Sequence, residues 1–259
     1  MNKVTIPTSF PNLPASIAKI QLLYSQNDIN TKKLTKLLEE EPMLCANILK
    51  LVNSPYYGLN NRIISISQAV TLLGTTIIRG ILMAVVLKKS FPLDLSPYNI
   101  SLEQFDKIST LRVKFINLWL KNENIDLQSL SSLAFLMECG KIVMANAILK
   151  NNLSQEFKMI SSNLNVIEAE KKLFDTNSYN IASILFKQWL FNDEFTNTLK
   201  NIIEPKSIEE KILSILLNII NTESILDEQN IQDSYELVKK YHLNAELFKK
   251  SIEIITKEL

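Results

Sequence analysis

The chain has one histidine, two cysteines and four glycines in 259 residues. A single imidazole rules out any multi-histidine metal site by count. A Ser-His-Asp or Cys-His arrangement would have to use His242, which lies in "KKYHLNAE" beside two lysines at an expected helix end. That is an ordinary surface position, and no nucleophile elbow or reactive-cysteine context accompanies it. The glycines, Gly58, Gly74, Gly80 and Gly140, are too few and too scattered for a phosphate-cradling loop. Cys45 and Cys139 sit far apart in apolar sequence, with no CxxC pair and no metal-ligand spacing. They read as buried, reduced thiols of an intracellular protein.

An excess of one charge is also missing: 28 basic residues face 27 acidic ones. The lysines come as scattered pairs such as Lys32-Lys33 and Lys239-Lys240, typical of solvated helix faces. Nucleic-acid binding through phosphate neutralisation needs a basic stripe, so it is disfavoured. The N-terminus "MNKVTIPTSFPNLP" has no apolar core of signal-peptide length. The longest greasy run, "IIRGILMAVVL" (Ile77 to Leu87), carries Arg79 and Gly80 and is too short to span a bilayer. These absences point to a cytoplasmic protein without a membrane span.

What is present is helical periodicity. Ile17, Ile20 and Leu23-Tyr24 mark one apolar face, and Leu34, Leu37 and Leu38 a second that ends before Pro42. Leu44, Ile48 and Leu51-Val52 mark a third, and Ile66, Ala69-Val70 and Leu73 a fourth closed by Gly74. The same three-and-four spacing recurs from Phe105 to Trp119, from Ile208 to Ile219 and from Phe248 to Leu259. No run alternates at period two for long enough to need a sheet, so the expected fold is all-α. The segments "FPLDLSPYNIS" and "IIEPKSIEE" break the pattern, and Ser101 with Gln104 and Ser207 with Glu210 have capping-box spacing. They divide the chain into an N-terminal lobe (1–91), a central lobe (92–205) and a C-terminal helical extension (206–259).

The acidic groups offer little for carboxylate-only metal chemistry. Glu39, Glu40 and Glu41 are consecutive and would point different ways on a helix, while Glu168, Glu170 and Asp193-Glu194 read as acids near helix starts.

One stretch stands apart. "LKLVNSPYYGLNNRI", Leu49 to Ile63, holds Gly58, a proline and the Tyr56-Tyr57 pair where a helix breaks off. Structurally, Asn53 ends the helix, Ser54-Pro55 turn and Gly58 takes a positive φ. Functionally, Asn53, Ser54, Tyr56, Tyr57 and Gly58 could offer an amide and a hydroxyl to a partner.

The surrounding pattern resembles the HDOD family, bacterial signalling domains related to the HD-domain metal-dependent phosphohydrolases. The matching elements are Leu13-Pro14, Glu41-Pro42, the helix through Leu51, Asn53-Ser54, Tyr57-Gly58, Ser65-Ile66 and Leu73-Gly74. The resemblance implies a two-lobed, multi-helical bundle with an HD/phosphodiesterase-like core. It also locates what is missing. Where HD-type relatives place a metal-binding His-Asp pair, this chain has Met137-Glu138; Ser178 stands for another histidine, and Ile202-Ile203 for paired histidines. The core is therefore expected to be degenerate, with no catalytic residue, metal ligand or cofactor. The implied function is a non-catalytic regulatory or adaptor protein acting on protein partners of a signalling pathway. The alternative is a metal-dependent phosphohydrolase or nucleotide-binding protein with a relocated carboxylate site, for which Glu138 and Asp175 are the first candidates.

Overall fold

The computed structural model describes residues 6, 10–24, 29–53 and 62–259. No β-strand occurs among the described residues; the nearest approach is one isolated bridge between Ile220 and Ile225. The helices of the first part are α1 (Ala15–Tyr24), α2 (Thr31–Glu39), α3 (Pro42–Val52) and α4 (Ile66–Ser90). A 3-10 turn, Ser96–Tyr98, leads to α5 (Leu102–Trp119), α6 (Leu127–Leu136), α7 (Gly140–Lys150), α8 (Ser154–Asn163), α9 (Val166–Phe174), α10 (Ser178–Gln188) and α11 (Asp193–Asn201). The chain ends in α12 (Ile208–Ile219), α13 (Glu228–Lys240) and α14 (Ala245–Thr256).

The apolar stripes become the core as their spacing requires. Ile17, Ile20 and Leu23 of α1, Leu34 and Leu38 of α2, and Leu44, Ile48 and Val52 of α3 are all buried. Gly74 interrupts α4 at φ 78°, a left-handed value that glycine adopts without a Cβ penalty, so the apolar face before it does end there. The segment after Gly74 is apolar nearly all round and sinks into the centre, packed between α2, α3 and α6. By length and composition Ile66–Ser90 and Leu127–Lys150 would suffice to cross a membrane. Both are largely covered by protein, and each is interrupted, the first at Gly74 and the second by the turn at Met137–Cys139.

Helix starts follow their side chains. Both expected capping boxes form: Ser101 and Ser207 accept from the backbone N–H of Gln104 and Glu210, whose side chains reach back. Glu210 also accepts from Asn201 Nδ2 at 2.9 Å and from the Lys206 N–H at 2.6 Å. Ser207→Ala is expected to lower stability by about 1 kcal/mol, read as a shift in urea midpoint at unchanged slope. An unchanged midpoint would show the box to be redundant.

Long-range ties hold the ends. The Gln188 amide accepts the Phe10 N–H at 3.1 Å and donates to the Phe10 carbonyl at 2.7 Å, while Trp189 Nε1 donates to the Pro11 carbonyl at 3.0 Å. At the other end Trp119 packs edge-on against Phe248 (centroids 5.1 Å apart) and Phe115 (5.9 Å), and its Nε1 donates to the Asn244 carbonyl. Buried side chains from Ile6 to Ile255 form one contiguous core.

The cysteines differ from expectation in one respect. Cys139 is buried, and burial pushes its thiol up to about 12. Cys45 is only half-buried, because it lies one position beyond Leu44 on the edge of the α3 stripe; its Sγ donates to the Leu38 carbonyl. His242 is exposed just past the end of α13, at φ 57°.

A buried ionic centre around Glu138

Arg112 lies on the face of α5 that carries Ile108, Phe115 and Trp119, so the helix period drives it inward with them. Glu138 sits in the turn between α6 and α7, and Lys141 one helical step later. Their exposures are 0%, 1% and 3%. Arg112 Nη2 donates to Glu138 Oε2 at 2.5 Å, and Lys141 Nζ donates to Glu138 Oε1. Each cation has a second acceptor: Arg112 Nε bonds the Ile220 carbonyl at 2.7 Å, and Lys141 Nζ bonds Thr222 Oγ1 at 2.5 Å.

A second carboxyl closes the cluster. Glu170 on α9 is fully buried; it accepts Tyr98 Oη at 2.6 Å and the Ser178 N–H at 2.7 Å. The Lys141 ammonium lies 5.5 Å from the Tyr98 ring centroid, and Tyr179 Oη reaches Glu138 Oε1 at 3.5 Å. Burial favours the neutral form of any carboxyl, yet the two carboxyls are driven apart. At Glu138, Arg112 and Lys141 outweigh burial and bring the group down to about 2. At Glu170 burial wins over Lys141 and the donated hydrogen bonds, and the group is raised. Glu170 corrects the expectation of a helix-start acid: it falls on the buried stripe of α9 with Val166, Ala169 and Leu173. Glu168, by contrast, is an exposed first-turn residue, as are Asp193 and Glu194 on α11.

These side chains do not fit a divalent metal. The carboxylate at Glu138 is paired with two fixed cations, and a third positive charge would meet their repulsion in a buried site. Met137 beside it is buried and apolar, Ser178 is the first residue of α10 with its N–H spent on Glu170, and Ile202 is buried. Among the described residues no three His, Cys, Asp or Glu side chains come together as a metal site. Asp175 does not join Glu138: it is exposed at the C-cap of α9, at φ 59°, lining a surface depression with Lys171, Asn180 and Ile203.

Of the loop singled out in the sequence, Asn53 is described, and Ser54, Tyr56, Tyr57 and Gly58 lie outside the described residues. Asn53 caps α3; its Nδ2 donates to the Leu49 and Ile63 carbonyls, and its Oδ1 accepts the Ile63 N–H at 2.7 Å. Its amide is thus committed to holding the end of α3 against Ile63.

Sequence reasoning passed over Arg112 and Lys141 and read Glu170 only as a helix-start acid. The available signal was a charge at a position where the helical period calls for an apolar residue, and Glu138 followed by Lys141 at i+3 inside "LAFLMECGKIVM" was its plainest instance.

Known proteins fit this architecture. A crystal structure from Shewanella amazonensis SB2B, of a provisionally assigned phosphohydrolase, superposes with a TM-score of 0.72 at 17% identity, covering 94% of this chain and 90% of that one. An HDOD domain protein of unknown function from Geobacter sulfurreducens superposes with a TM-score of 0.69 at 15% identity, over 96% and 91%. At these identities the likeness is one of fold. An uncharacterised protein of Treponema pallidum (strain Nichols) is 32% identical over 75 residues, which is 29% of this chain but 15% of that relative's length. The HDOD domain profile matches residues 10–205, from the Gln188-clamped N-terminal segment through α11. The chain belongs to the HDOD domain family.

Proposed function

We propose that this chain is a non-catalytic regulatory protein of bacterial signal transduction, acting in the cytoplasm through contacts with protein partners. One observation carries the reading: where the family resemblance would put the HD metal pair, Glu138 is closed off by Arg112 and Lys141 in a buried ionic cluster. A carboxylate held that way is not available as a ligand or a base. Membership of the HDOD family supports the signalling context. The reading with relocated carboxylates loses support from the same geometry, since Glu138 is buried and Asp175 exposed.

The test uses the purified full chain with bis(p-nitrophenyl) phosphate and a cyclic dinucleotide, each with Mg2+ or Mn2+. The expected outcome is no turnover above buffer and no metal-induced rise in melting temperature, because a specific site would stabilise the native state. Metal-dependent hydrolysis that disappears in Glu138→Gln would overturn the proposal. The adaptor half is checked by affinity purification of the tagged chain from its own host, where a signalling protein should co-purify in fixed ratio.

A further inference from the structure

Residues 10–14 run without helix, strand or turn past the C-terminal end of α10 before α1 begins. Among the described residues, no backbone group from Phe10 to Leu13 bonds to another backbone group. The segment is held instead by side chains at the end of α10. The Gln188 amide takes the N–H and the carbonyl of Phe10 together, at 3.1 and 2.7 Å, and Trp189 Nε1 donates to the Pro11 carbonyl at 3.0 Å. Gln188 Nε2 also lies 3.4 Å from Asn12 Oδ1. The Phe10 ring is buried edge-on against Phe91, with centroids 6.5 Å apart, while Pro11, Asn12 and Pro14 are exposed.

The receiving surface is fixed by contacts of its own. The chain leaves α10 through Leu190 in the left-handed region (φ 64°), with the Leu190 N–H on the Lys187 carbonyl and the Phe191 N–H on the Phe186 carbonyl. Trp189 packs edge-on against Phe186, and Arg79 Nη2 of α4 donates to the Leu190 carbonyl. A side-chain amide that meets both polar groups of one residue reads main chain, whatever side chain that residue carries. Selection comes from an apolar place for one ring and from an indole N–H set for the next carbonyl. Proline suits that next position because it brings no N–H to satisfy. Sites for extended peptides divide the work in the same way, with main-chain bonds for affinity and a side-chain pocket for specificity.

We propose that Gln188, Trp189 and Phe91 form a peptide-binding site which Phe10-Pro11 occupies as a displaceable strap, and that an extended aromatic-proline segment of a partner protein takes the same place. The strap's own sequence gives the chemistry of that partner. The inference deepens the adaptor reading by naming where a partner engages, and it rests on that reading for the occupant's being a protein. A strap tethered this close competes at an effective concentration on the order of millimolar, so a partner binds weakly until the strap is released.

Phe10→Asp in the full chain sets a carboxylate against Phe91 and should release the strap with the fold intact. Acetylated and amidated Phe-Pro-Asn-Leu-Pro is then titrated against the isotope-labelled protein, and the Trp189 indole N–H resonance is followed. Saturable binding is expected, at least about ten-fold tighter than to the wild type, where the strap competes. Adding Gln188→Ala should weaken it about ten-fold through the loss of two main-chain bonds. Gly-Pro-Asn-Leu-Pro, which lacks the ring, should not saturate. In the wild type the Phe10 amide should exchange its hydrogen through a local opening, at a rate insensitive to low urea. The proposal is overturned if Phe-Pro-Asn-Leu-Pro binds both chains equally or neither, if the glycine peptide binds as well, or if Phe10 exchanges only with global unfolding. Loss of the fold in Phe10→Asp would make the segment part of the core and overturn it too. A wild-type dimer that Gln188→Ala dissociates would seat a second copy's segment in the site, against the proposal. None of these failures touches the co-purification test of the adaptor reading.

Discussion

Glu138→Leu is expected to destabilise the protein by about 3–5 kcal/mol, because it leaves two buried cations facing each other without a counter-charge. Arg112 and Lys141 keep their acceptors at Ile220 and Thr222, but these are neutral groups and cannot offset the desolvation of two charges. Such a loss is a large share of the total stability of a domain of this kind. The informative comparison is the triple variant Arg112→Met, Glu138→Leu, Lys141→Met. An apolar replacement of a whole buried ion cluster is often neutral, so the triple variant should be more stable than Glu138→Leu alone. A triple loss equal to the sum of the single losses would mean that the three groups act independently, which the geometry denies.

The same group gives a pH signature with a defined sign. Glu138 is depressed in the folded protein from its ordinary 4.5 to about 2. Its contribution is therefore complete above about 4.5 and disappears as the pH falls through about 2. The stability gap between wild type and Glu138→Leu should narrow over that window as the carboxylate takes up its proton. A gap that stays constant down to pH 2 would refute the assignment.

Gly140→Ala is the second large effect. A Cβ there would stand 1.8 Å from the Ser178 carbonyl oxygen and 3.0 Å from the Ala182 nitrogen, both backbone atoms of α10. No rotamer change relieves such a clash, so α7 and α10 must move apart. That motion would pull Ser178 from Glu170 and Tyr179 from Glu138. A loss of about 3 kcal/mol is expected, at the upper end of ordinary overpacking. Gly80→Ala is the contrast: the new methyl's one contact tighter than ordinary van der Waals distance is with Ser132 Oγ, the tip of a rotatable side chain, and the gain of about 1 kcal/mol in helix propensity works against the strain. If the two substitutions cost the same in urea unfolding, the distinction between backbone and side-chain contact is wrong.

Most of the fold was legible in the sequence because it rests on local rules. The stripes at Leu44, Ile48 and Val52 or at Ile212, Ile215 and Ile219 needed only the helical period, and the capping boxes at Ser101 and Ser207 only a spacing of three. The break at Gly74 was visible for the same reason. The ionic centre was not legible, since its members come from α5, the α6–α7 turn, α7, α9, α10 and the segment after α12. Their meeting depends on tertiary packing that no local pattern encodes. Position 138 was found through its family context, but its neutralisation by Arg112 and Lys141 was not. Glu170 was misplaced because first-turn acids are common, and the buried stripe of α9 was not traced through it.

The dependence of Arg112 on Ile220, and of Lys141 on Thr222, has a consequence for how the chain is made. Both acceptors lie beyond residue 205, where the family match ends. On the ribosome Lys141 emerges 81 residues ahead of Thr222, an interval of about 4–16 s at usual rates of synthesis. Throughout that interval Arg112 and Lys141 have Glu138 but lack their second acceptors. The hydrogen bonding of this centre is complete only once Ile220 and Thr222 have been made, so the segment after α12 supplies its last contacts.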